Sequence, residues 1–265
     1  MNKSEQALIK KDIQELLSNK QVLLPMIIVP LLFVVIFPSV LLIGAQYVTD
    51  MDSNVFTDIE PLIKQLQFDS SAYTPAQLLI KITVDFLFPP FFLIISILSS
   101  SVMGASSFVG EKEHHTMESL FYTPISMERL LRAKIFGVFL PSFVVTLFSF
   151  LIFTVIINVG GLVYFDQLIF PTVQWLLIVG WLSPALSMLS LVFTALVSAK
   201  ANSFQGAQQI SGLLVLPVIL LLVGQTSGLF LLNDFFLVVI GSLMFLVDFF
   251  LIKQVSKRFS PEKLI

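Results

Sequence analysis

The sequence predicts an all-α, polytopic membrane protein with six spans, and three observations carry that prediction. Hydrophobic residues occupy 56% of 265 positions and charged residues only 12%, with a mean hydropathy of +0.94, far from the composition of a soluble domain. The apolar residues fall in long blocks at 22–45, 86–109, 135–159, 173–198, 210–232 and 235–252. Each is near the roughly 20 residues a helix needs to cross about 30 Å of hydrocarbon, and their continuity excludes the short alternating strands of a membrane barrel. The third observation is charge placement. With six spans, Lys64 and Lys81 lie on one side and every other Lys and Arg on the opposite side. Basic residues accumulate on the cytoplasmic side of short loops, so both termini are expected in the cytoplasm.

Read in order, residues 1–21 form the first element. Ile9, Ile13, Leu16 and Leu17 share one helical face while Lys11, Gln14 and Glu15 share the other, which predicts a helix lying on the inner leaflet; a solvated basic tail is the alternative. The apolar run that follows is longer than a signal-peptide core and reads as a retained span. Residues 46–85 form an outer segment with Asp50, Asp52, Asp58, Glu60 and Asp69 against Lys64, either an ordinary solvated loop or a cover for an exit. Tyr47, Tyr164 and Trp175 fall near the outer ends of spans, where interfacial aromatics gather.

Prolines punctuate the spans: Pro25, Pro30 and Pro38 in the first, Pro89 and Pro90 in the second, then Pro141, Pro184 and Pro217. Neighbouring helices must satisfy the carbonyls that they free, so kinked, closely packed helices are expected. In the fifth block, Gly224-Gln225-Thr226-Ser227-Gly228 either breaks the helix into a re-entrant return or leaves a simple kinked span. No internal repeat is evident, and the whole of 1–265 reads as one transmembrane domain.

The charged insert Gly110–Lys134, between the second and third blocks, stands out from this background. Thr116 can cap a short helix with Glu118 in its first turn and Met117, Leu120 and Phe121 as an apolar stripe. Pro124 disfavours helix at Thr123 and ends it. Ser126 can cap a second helix with Glu128 in its first turn, and Arg129, Arg132 and Lys134 lead into the third span. The predicted product is helix, turn, helix beneath the membrane, a shape suited to docking into a socket on a soluble partner.

Gly110-Glu111-Lys112-Glu113, then Thr116, Glu118 and Leu120, then Thr123-Pro124-Ile125-Ser126, Glu128 and Lys134 together resemble the signature region of type-2 ABC exporter permeases, the membrane subunits of ATP-binding-cassette transporters. His114-His115 stand where that family often has a small Gly. The order of elements agrees across the chain, from interfacial helix to cytoplasmic end. This resemblance implies a pathway-forming subunit whose coupling helix, Thr116–Tyr122, receives work from a separate ABC ATPase that uses ATP and Mg. Glu111, Glu113, Thr116, Met117, Glu118, Leu120, Phe121, Thr123, Pro124, Ser126 and Glu128 are then the coupling candidates. It also implies a second permease chain, identical or related, in a bacterial cell membrane.

The residues agree with this division of labour. No G-x-x-x-x-G-K-[ST] phosphate cradle occurs, so the chain is expected to bind no nucleotide or other cofactor itself. There is no Cys, hence no thiolate ligand or cysteine nucleophile, and no nucleic-acid partner is expected. A membrane enzyme built on His114, His115, Glu111, Glu113 and Glu118 lacks any ligand spacing with known mechanics; a membrane immunity or scaffold protein is the other class. Polar groups inside spans are candidates for the pathway. Asp85 follows Lys81 by one helical turn, so the two can share a wet helix end. Asp248 lies in the last span, either neutralising Lys253 or the insert, or lining a path. Asn158 and Gln225 can bond one helix to another, at about 0.6 kcal/mol each. The 27 Phe suit either an amphipathic cargo such as a peptide antibiotic, drug or lipid-like molecule, or contact with lipid.

Overall fold

A computed structural model describes residues 18–48, 73–110, 127–198, 200–201, 203–226 and 233–258. The interfacial-helix reading of 1–17, most of the acidic outer segment and the core of the insert lie outside these residues. Every element described is helical, and six spans are long and apolar enough to cross a membrane. They are α1 Lys20–Tyr47, α2 Pro75–Gly110, α3 Met127–Phe165, α4 Val173–Ser198, a fifth span made of α5 Phe204–Gly212 and α6 Val215–Thr226, and α7 Asp234–Arg258. Spans α2 and α4 are mostly buried and pack against each other at the centre, while the other four turn most of their surface outward.

The second span starts well before its predicted apolar block. Thr74 and Gln77 form a reciprocal capping box, with Pro75 as the first helical residue. Hydropathy concealed this start because Gln77, Lys81 and Asp85 interrupt the apolar run. Leu78, Ile80 and Ile82 are nevertheless fully buried.

Three of the prolines act through a shared device. Ahead of each a turn widens to π geometry, in which an N–H bonds five residues back: Phe37 to Leu32 O, Phe88 to Thr83 O and Ser183 to Ile178 O. Each of these donors immediately precedes a proline, at Pro38, Pro89 and Pro184. In the same register the next carbonyl back, Val84 O in α2, would need the N–H that Pro89 lacks. The indole Nε1 of Trp175 donates to it instead, at 3.2 Å. Trp175 is therefore not the interfacial aromatic its position predicted. It is fully buried and seals a proline-orphaned carbonyl, as membrane depth demands.

Helix ends are closed across the bundle in the same way. The Tyr164 hydroxyl donates to Leu42 O near the end of α1, at 2.6 Å, and the Gln77 Nε2 donates to Tyr164 O near the end of α3, at 2.7 Å. Tyr164 O would otherwise be among the unpaired last four carbonyls of α3, whereas Leu42 O lies about one turn inside the end of α1.

The fifth span does break, but not at Gly224. Pro217 cannot donate to Leu213 O, which accepts from Leu216 N instead, at 3.0 Å. Leu213 N and Leu214 N likewise reach only three residues back, to Ile210 O and Ser211 O. The helix then continues through Gly224 and Gln225 to Thr226, and 227–232 lie outside the described residues.

Small residues let the central helices approach. Ser96 and Ser100 of α2 bond Thr146 and Ser142 of α3 at 3.3 and 3.2 Å, and Ser190 of α4 donates to Ile97 O at 3.1 Å. A Cβ on Gly104 would stand 3.1 Å from the Leu191 side chain of α4. This is the small-residue packing expected where no hydrophobic force acts between helices. Aromatics fill the half away from the insert: the rings of Phe92, Phe153 and Phe170 lie 4.9–5.1 Å from Trp175.

Candidate functional site

The end of α2 and the start of α3 frame the insert. The last turn of α2, Ser106–Gly110, is widened, and Ser107, Phe108 and Val109 are buried. Helix α3 begins at Met127, directly after Ser126. Glu128 therefore lies in its first turn, while Glu111, Glu113, Thr116, Met117, Glu118, Leu120, Phe121, Thr123, Pro124 and Ser126 fall outside the described residues.

Lys134 joins the two flanks. Only 3% exposed, its Nζ donates to Ser107 O across the helix pair at 2.8 Å and stands 5.7 Å from the centre of the Phe108 ring. A cation at the carbonyl end of a helix meets the negative end of its dipole, and an ammonium over an aromatic face gains further attraction. Sequence reasoning gave Lys134 no role beyond leading into the span. The available signal was its position, a lysine flanked by Ala133 and Ile135 at the mouth of an apolar block.

The intramembrane polar candidates are not brought together into one site. Asp85 pairs with Lys81 at 3.3 Å, and both border a small hollow of about 60 Å³ with Tyr73, Phe165, Gln167 and Ile169. Asn158 bonds no neighbouring span. Its Oδ1 accepts from Ile169 N and Phe170 N, each at 3.1 Å, and its Nδ2 donates to Phe170 O at 2.7 Å. It thus pins the loop from α3 to α4, which lies too near in sequence for a helix-to-helix reading to have found it. Gln225 is 1% exposed, and neither its Nε2 nor its Oε1 has a hydrogen-bond partner among the described residues. Asp248 is 2% exposed with both carboxylate oxygens unpartnered; no hydrogen bond joins it to Lys253. Among the described residues no group of His, Asp or Glu could hold a metal ion.

A family model described as ABC-2 family transporter protein matches residues 59–251, which take in the insert and the spans from α2 to nearly all of α7. The chain belongs to the ABC-2 transporter family. It is a multi-pass transport subunit of that family rather than a catalyst in its own right. No curated protein and no solved structure matches it. In this ABC-2 permease, Lys134 and Ser107 tie together the two spans that border the charged insert.

Proposed function

We propose that this permease is half of the membrane part of an exporter, packed against a second permease chain, identical or related. An ABC ATPase subunit that consumes ATP with Mg docks on the insert at the cytoplasmic face of a bacterial cell membrane, with both termini on that side. Glu111, Glu113, Thr116, Met117, Glu118, Leu120, Phe121, Thr123, Pro124, Ser126 and Glu128 form the docking knob. Movement of that knob drives the paired chains between inward-open and outward-open arrangements, and the cargo is amphipathic.

The observation that supports this reading is the Lys134–Ser107 tie. It spans the two helices that enter and leave the insert, so a displacement of the insert acts on α2 and α3 together. Since α2 also packs against α4, the push has a continuous packed route into the centre of the bundle.

Glu118→Lys and Phe121→Ala are the test, in membranes that also contain the ATPase. Both variants should insert normally and retain ATP hydrolysis while export falls at least about tenfold, the equivalent of ~1.4 kcal/mol of lost coupling. Undiminished export in both would remove the coupling role, and failure to recover any ATPase with the native permease would favour a scaffold or immunity protein.

A further inference from the structure

An apolar cavity of about 150 Å³ opens among α2, α4, the fifth span and α7. Among the described residues only Leu, Ile, Val, Pro and Met side chains line it. Water needs several polar partners to occupy such a space, so this wall keeps it out. The break in the fifth span borders the cavity: Leu214, Pro217, Val218 and Leu221, at and just beyond the interrupted turn, all line it.

Floor and rim differ in exposure. Leu93, Ile97, Leu182 and Leu186, from the two central helices, are buried. Pro217 is exposed, and Leu214, Leu221 and Ile240 are only partly covered. The mouth therefore lies on the side of the fifth span and α7, and its rim runs on into the outward-facing Leu213, Leu216 and Leu243. Depth is fixed by the spans themselves. The midpoints of Pro75–Gly110, Val173–Ser198 and Phe204–Gln225 fall beside Leu93, Leu186 and Leu214, all of them lining residues. Midway through a hydrocarbon core of about 30 Å, the surrounding molecules present the ends of their acyl chains and no headgroup.

We infer that this cavity binds the methyl-terminal end of a bilayer lipid's acyl chain, which enters between the fifth span and α7 and lies against Leu186 and Val218. A cavity of this volume holds a benzene ring, so it takes a stretch of about six chain carbons. The filled cavity regains the dispersion contacts that its lining atoms lack beside a void. The ligand already stands at the mouth in hydrocarbon, and the wall offers nothing that would select a charged or hydrogen-bonding group. Neither cargo nor ATPase is involved.

The test uses a phosphatidylcholine that carries a diazirine at the methyl end of one acyl chain, with the full permease chain reconstituted in vesicles containing it. After irradiation, adducts mapped by mass spectrometry should appear at the buried Leu93, Leu186 and Val218 as well as at Leu216 and Leu243, which face outward near the same depth and serve as the internal standard. The same lipid with its diazirine beside the headgroup should leave the three buried positions unlabelled. Val218→Phe, which fills the cavity, should lower the adducts at Leu93 and Leu186 roughly tenfold relative to Leu243. Adducts confined to Leu216 and Leu243 in the native chain overturn the site, as when a second permease chain plugs the mouth. Equal labelling of the buried positions by both lipids overturns it too, and so do unchanged adducts at Leu93 and Leu186 in a folded Val218→Phe chain. If that variant fails to fold, Met244→Phe at the rim and the contrast between the two lipids on the native chain decide. Transport is not measured, so failure of the permease reading would leave this result standing.

Discussion

Lys134 shows how much one buried side chain can hold. Its 2.8 Å bond to Ser107 O is charge-assisted and almost wholly shielded from water, and hydrogen bonds to charged groups contribute about 1.5–3 kcal/mol. Lys134→Met should lower stability by that amount, seen as a reduced thermal midpoint of the detergent-solubilised chain, with Lys134→Arg recovering part of the loss. The composition announces a lysine at this span entry; it does not announce that the ammonium turns inward to a carbonyl of the preceding helix. Asn158 was similarly visible as a polar residue at depth, but its three bonds go to a loop whose path depends on tertiary structure. Asp85 was the easiest to read, because its partner Lys81 is one turn away on the same helix. Asp248 and Gln225 were visible as anomalies, and no local pattern could say that both would be buried without partners.

At the scale of the helix, the spans were legible and their ends were not. Long apolar blocks identify hydrocarbon-crossing segments because water is excluded from every residue along them. The beginning of α2 escaped because a capping box and an ion pair make its first turns polar while their other face is buried. Prolines were legible as disturbances, yet whether each would kink a helix, widen a turn or split a span depends on which neighbour serves the freed carbonyl. This yields a test. Trp175→Phe should cost ~1 kcal/mol through the lost indole bond to Val84 O, and less in a Pro89→Ala background, where the restored N–H at position 89 can serve that carbonyl. A double-mutant cycle of unfolding free energies should therefore show coupling; strictly additive losses would mean that Trp175 acts by packing alone. Phe92, Phe153 and Phe170 are core around Trp175 and need neither cargo nor lipid to account for them.

Across the molecule, two central helices carry the buried core and four outer spans face outward with apolar side chains such as Phe148, Val155, Leu220 and Phe249. Lipid suits that surface, and so does the second permease chain proposed above. The absence of any native Cys makes the proposed orientation simple to check. Single cysteines at Thr116 and at Asp58 should react differently in intact cells: a membrane-impermeant maleimide should label the Asp58 position and spare the Thr116 position until the membrane is opened. The reverse pattern would place the insert outside and end the docking proposal.

The cross-bundle caps also bear on how the chain is made. Ser107 O waits for Lys134 and Val84 O for Trp175, so in both pairs the acceptor leaves the ribosome before its donor. Early spans must therefore stand in lipid with open carbonyls until later ones arrive. A polypeptide truncated ahead of Trp175 would leave such an opening permanently, which is a chemical mark by which quality control could tell an unfinished permease from a complete one.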